Sequence, residues 1–119
     1  MTIRIPSRNR RGMLRLAYPG HLRGTLLHRD AEYGLIDLSQ EGARAVVPSA
    51  QDAYRVGGRH SVVLCLVSGV VLVTDAEVTR IRPGEVAFRF CGHFAFGIML
   101  EEHCAVLAGE GATGVERSA

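Results

Sequence analysis

Residues 36–48 read IDLSQEGARAVVP. An apolar stretch from Tyr33 ends at Leu38, the turn-formers Ser39, Gln40, Glu41 and Gly42 follow, and small apolar residues resume from Ala43 to Val47. Short apolar runs separated in this way mark strands joined by tight turns, because Ser and Gly supply the side-chain bonds and backbone freedom that a chain reversal needs. The same punctuation recurs on both sides. Downstream come a loop at 48–52, a Val56-Gly57-Gly58 turn, a strand from His60 to Val67, a tight Ser68-Gly69 turn and a strand from Val70 to Thr74. Alternating AEVTRI at 76–81, a Pro83-Gly84 turn and alternating VAFRF at 86–90 complete the series. Upstream, Leu16 to Leu27 reads as a first strand made irregular in its middle by Pro19, Gly20 and Gly24. Six or seven short strands at this spacing predict an all-β antiparallel barrel or sandwich. After Gly92 the period changes. Phe96, Met99, Leu100, His103, Cys104 and Leu107 recur at helical intervals, which predicts a C-terminal helix over one end of the strands.

At 119 residues, 47% of them hydrophobic, the chain is expected to fold as one domain around one core. Residues 1–12 read as a basic arm, 13–108 as the barrel with its helix, and 109–119 as a frayed, flexible tail. No apolar run approaches the roughly 18 residues of a membrane span. The N-terminus lacks the apolar centre of a secretory signal. A cytoplasmic protein without membrane insertion is therefore expected. The charge is unevenly spread: every basic side chain is Arg, and residues 1–29 hold seven of them with no Asp or Glu. A basic arm on a mildly acidic body points to an anionic partner.

Arg11-Gly12-Met13-Leu14-Arg15 sets two guanidiniums four residues apart, on one side of an extended segment, with Arg10 beside them. Guanidinium forks match phosphate oxygens and the O6/N7 edge of guanine. The turn offers the complement. The Asp37 carboxylate accepts from guanine N1–H and N2–H₂, and the Ser39 hydroxyl donates to base or phosphate. Gly42 either admits a ligand close to the backbone or supplies positive φ. Taken alone, Asp-x-Ser followed by Gly is also an ordinary self-bonding turn. Cys65, Cys91 and Cys104 are odd in number and share no metal-ligand spacing with the five His, so reduced thiols and no metal are expected. Paired carboxylates or Ser/His at a catalytic spacing are missing from the sequence, so neither an enzyme nor a catalytic residue is expected. Arg80, Arg82 and Arg89 read as surface charges, and Arg44 as an ordinary solvent-facing residue or, if its strand face points to the ligand, as a further contact.

RxxxR at 11–15 followed by DLSQEG at 37–42 resembles the RxxxR and (D/N)xSxxG signature of the PilZ domain family. The order of turns and strands from residue 10 to residue 107 is similar to the family's as well. The resemblance implies a small PilZ-type β-barrel with a C-terminal α-helix, in a bacterial signal-transduction protein that binds the second messenger cyclic di-GMP. By position it implies a ligand-binding set of Arg10, Arg11, Arg15, Asp37, Ser39 and Gly42. Arg10, just ahead of RxxxR, resembles the family members that take the dinucleotide as a stacked pair. No cofactor beyond this ligand is implied. The expected role is an adaptor, in which the ligand reorders the arm and the new surface meets an effector protein that the sequence does not name. The alternative is a ligand-free PilZ-like interaction module, as in pilus or motility regulation; the presence of both motifs counts against it. A general nucleic-acid binder is disfavoured, because the chain has no Trp and no aromatic pair that suggests a stacking platform.

Overall fold

The computed structural model describes residues 14–118, with side chains as far as Gly109. Its elements run β1 (Arg15–Ala17), β2 (Thr25–His28), β3 (Ala31–Ser39), β4 (Gly42–Val46), α1 (Ala50–Ala53), β5 (Arg59–Cys65), β6 (Val71–Arg82), β7 (Glu85–Phe90) and α2 (Phe96–Ser118). The hydrogen-bonded order is β1-β3-β2-β5-β6-β7-β4, and a further pairing of β3 with β4 brings the ends together. All pairings are antiparallel. The sheet is thus a closed antiparallel barrel with a C-terminal helix. Closure pairs backbone groups that an open edge would leave bare.

The expected first strand is realised in two pieces. β1 and β2 both pair with β3, and residues 18–24 loop out between them. The loop stays tied at both ends: Tyr18 N donates to Ile36 O at 3.0 Å, and Leu35 N donates to Gly24 O at 2.9 Å. The runs expected separately at 70–74 and 76–81 are one strand, β6. Its first half pairs with β5 and its second half with β7, so it links two walls of the barrel. Its polar centre is a solvent-facing position rather than a break, and Asp75 there accepts from Ser61 Oγ at 2.7 Å. Residues 50–53, read as loop, form the single helical turn α1.

Alternation places Leu26, Leu35, Leu38, Val62, Leu64, Val78 and Val86 inside the barrel, each at most 1% exposed. Burying a side chain of this size stabilises the fold by about 1.5–3 kcal/mol. α2 closes one end, through a face that shares Met99 with the one its apolar spacing suggests but is turned away from Cys104 and Leu107. Met99, Glu102 and Val106 are buried, while Cys104 and Leu107 are exposed. The buried position is open to Glu102 because three donors meet it. Tyr18 Oη donates to Oε2, Val67 N to Oε2 at 2.8 Å and Ser68 N to Oε1 at 2.9 Å. A buried carboxylate is tolerated when its oxygens are matched in this way. Burial, then the bond to this carboxylate, pushes the Tyr18 pKa far up, so its hydroxyl stays a donor. The helix runs on to Ser118. Among the described residues no helix is long and apolar enough to cross a membrane.

Candidate functional site

Asp37 and Ser39 stand at the end of β3, and Gly42 opens β4 across a two-residue turn. The β3–β4 register shifts between Leu35 and Asp37. That irregularity lets both Leu35 and Leu38 enter the core, although their spacing is odd, and it turns Asp37 to the outer wall. There Asp37 sits opposite Arg44 of β4 and Ala17 of β1. Leu16 fills the inward position of β1, so Arg15 shares the outer wall with Asp37. Glu85 opens β7, the next strand beyond β4. Arg15, Asp37, Arg44 and Glu85 therefore form a row of alternating charge across β1, β3, β4 and β7.

The row is tightest at its centre. Arg44 Nε and Nη2 reach Asp37 Oδ2 at 2.8 and 2.6 Å, and Arg44 Nη1 reaches Glu85 Oε2 at 3.0 Å. The hydrogen bond to Asp37 is the largest of the influences that raise the Arg44 pKa above its ordinary value. Both donors fall on one oxygen of Asp37. The other, Oδ1, is buried and has no hydrogen-bond partner among the described residues. Arg15 Nη1 lies 3.4 Å from Oδ1, which is ion-pair range without a formed hydrogen bond. The Asp37 side chain is 4% exposed and that of Arg15 is 62% exposed. A sheltered carboxylate oxygen thus sits beside an exposed guanidinium.

The turn itself is held by its own side chains. Ser39 Oγ donates to Gly42 O at 3.3 Å and accepts from Glu41 N at 3.3 Å, which is the self-bonding pattern of an ordinary turn. Gly42 does not have positive φ. Its need for glycine comes from packing: a Cβ there would collide with the carbonyl oxygen of Phe88 on β7. Gln40 is buried, and its Nε2 donates to Phe94 O at 2.9 Å, which ties the turn to the segment leading into α2.

Of the expected set, Arg15, Asp37, Ser39 and Gly42 gather at one end of one wall, while Arg10 and Arg11 lie outside the described residues. Arg44, read as solvent-facing, is instead the main partner of Asp37. The hairpin register held the signal. Once Leu38 faces Ala43 across the turn, Asp37 must face Arg44. Arg89, by contrast, is an exposed charge as expected, paired with Glu77 at 3.0 Å. Among the described residues there is no cluster of His, Cys, Asp and Glu able to hold a metal ion. The three thiols are free, Cys65 half-buried and Cys91 and Cys104 exposed.

The PilZ domain family model matches residues 8–101. The chain belongs to the PilZ domain family. Its PilZ barrel is similar to a solved PilZ domain with c-di-GMP of YcgR from Escherichia coli, at 19% identity and a TM-score of 0.60, covering 92% of this chain and 98% of that one. It is similar also to YcgR from Escherichia coli in complex with c-di-GMP, at 18% identity and a TM-score of 0.55, where 92% of this chain covers 50% of that one. An uncharacterised Legionella protein matches at 15% identity and a TM-score of 0.52, over 89% of this chain and 99% of that one. At such identities the likeness is one of fold. None of the curated proteins matches the chain.

Proposed function

We propose that this PilZ domain is a non-catalytic cyclic di-GMP receptor that works as a cytoplasmic adaptor. Arg15, with Arg10 and Arg11 of the arm, grips guanine edges and phosphates. Asp37 accepts from the guanine N–H groups, and Ser39 and Gly42 shape the turn beside them. Arg10 favours a stacked pair of ligands. Closure of the arm over the ligand changes the surface offered to an effector protein, so binding and arm position are coupled.

The observation that carries this reading is Asp37 Oδ1, a buried acceptor with no hydrogen bond, 3.4 Å from the exposed guanidinium of Arg15. Buried polar atoms are seldom left unpaired, and one beside an exposed cation suits a ligand N–H. The similar fold of YcgR, solved with c-di-GMP, supports the choice of ligand. Calorimetric titration tests it. The wild-type chain is expected to bind cyclic di-GMP with two ligands per chain, and to reject the adenine analogue, which offers no N1–H. Arg15→Ala is expected to lose about 1–3 kcal/mol, or roughly 5- to 150-fold in affinity. A flat wild-type titration refutes the reading and leaves the ligand-free interaction module.

A further inference from the structure

The barrel mouth opposite α2 is filled by polar rings. His28 of β2, Tyr33 of β3 and His60 of β5 continue the inward rows of Leu26, Leu35 and Val62, and Tyr54, just after α1, packs among them. The Tyr54 ring lies 5.5 Å from His28, 5.2 Å from His60 and 6.3 Å from Tyr33, and the two imidazoles are 4.6 Å apart. His28 Nδ1 shares a 2.6 Å hydrogen bond with Tyr54 Oη. Two hollows adjoin across Tyr54, of about 430 Å³ beside Arg55, Arg59 and His60, and about 570 Å³ beside His28, Arg29 and Tyr33. Arg29, Arg55 and Arg59 form no ion pair among the described residues, unlike Arg15, Arg44 and Arg89. Arg29 also holds a left-handed backbone, φ 57°, at the tip of the β2–β3 hairpin, where Gly or Asn is the low-cost choice. Burial is the main cause that lowers the proton affinity of both imidazoles; the charge of Arg29 adds to it at His60, and follows that of His60 at His28.

We propose that this mouth is a docking site for an acidic segment of a partner protein, with carboxylate side chains entering the hollows on either side of Tyr54 and pairing with Arg29 and Arg59. Two hollows parted by one buried ring fit side chains branching from one extended chain better than a single compact ligand. Asp30 and Asp52 line the same hollows, and they disfavour a uniformly charged polyanion such as nucleic acid. The buried Tyr54 ring offers no free face for base stacking. The site stands apart from the Asp37 wall and does not depend on cyclic di-GMP.

The test uses the full chain and a hexaglutamate peptide with blocked ends, followed by the imidazole NMR signals of His28 and His60. Saturating shifts at both rings are expected. Binding strengthens from pH 8 to pH 6, because a carboxylate favours the protonated rings over the repulsion of Arg29, Arg55 and Arg59; Asp30, Asp52, Tyr33 and Tyr54 are the other titratable groups facing them. Arg29→Gly relieves the backbone at that hairpin, so the variant stays folded, and combined with Arg59→Gln it is expected to weaken binding about three- to tenfold. The control Arg80→Gln with Arg82→Gln leaves binding unchanged. Absence of saturation, an equal loss in the control, or equal shifts from inorganic phosphate at the same concentration overturns the proposal.

Discussion

Arg44→Ala probes the centre of the charged row. The substitution removes one charge-assisted hydrogen bond to Asp37 Oδ2 at 2.8 Å, an ion-pair contact of Nη2 with the same oxygen at 2.6 Å, and one hydrogen bond to Glu85 at 3.0 Å. Fully sheltered, the hydrogen bond to Asp37 would contribute about 1.5–3 kcal/mol. The Arg44 side chain is 36% exposed, however, so solvent screens part of that. What remains for Asp37 is Arg15 at 3.4 Å, on a side chain 62% exposed, a contact of at most about 1 kcal/mol. The expected net loss is about 1–3 kcal/mol. With a urea dependence of about 1–3 kcal/mol per molar, that lowers the unfolding midpoint by roughly 1 M. Arg89→Ala is the internal control. Its pair with Glu77 is just as short, at 3.0 Å, but 65% and 29% exposed, so a loss under about 0.5 kcal/mol is expected. Arg44→Lys keeps the charge, loses the fork, and should fall between the two. Equal midpoints for Arg44→Ala and Arg89→Ala would refute the view that Arg44 holds Asp37 in place.

Glu102→Ala leaves the Tyr18 hydroxyl and the Val67 and Ser68 amides without their acceptor, and a loss of about 3 kcal/mol is expected in urea unfolding; a loss below about 1 kcal/mol contradicts the role given to this carboxylate. Gly42→Ala forces β4 and β7 apart at Phe88, at an expected cost of about 1–3 kcal/mol, and an unchanged melting temperature speaks against that close contact. The stability should also depend on pH. Burial first, then the charges of His60 and Arg29, lower the His28 pKa, and burial with Arg29 lowers that of His60. The folded state therefore disfavours protonation of both rings, so their stabilising contribution is present above an ordinary value of about 6.5 and is lost as pH falls below it. Thermal melts from pH 8 to pH 5 should show Tm declining through that window, with a shallower decline in His28→Gln/His60→Gln; identical slopes in the two proteins argue against this assignment.

Much of the barrel is legible in the sequence, because β-branched alternation and Gly-marked turns are local signals. Ser68-Gly69 turns where expected, with Gly69 at φ 99°. What escapes local reading involves partners far apart in the chain. Thr74-Asp75 looks like a break until the barrel puts Ser61 beside Asp75. The helix face is only partly legible because an acidic residue does not join an apolar pattern, and only the meeting of Tyr18 with the 67–68 amides makes Glu102 an interior one. Asp37 was legible as an acceptor from its motif, whereas Arg44 required the hairpin register to be carried one step further. Gly42 reads as either an opening for a ligand or a source of positive φ; its φ is not positive, and the constraint that only the fold reveals is the neighbouring strand.

Glu102 has a bearing on where such a domain is cut. The family match stops at residue 101, one position short of it. A fragment trimmed to that boundary would keep all seven strands and yet strip the acceptor from one phenol and two amides at the helical end. Boundaries for expression, fusion or transplantation belong beyond Val106, which is buried in the helix, since the smallest self-sufficient unit is larger than the recognisable pattern.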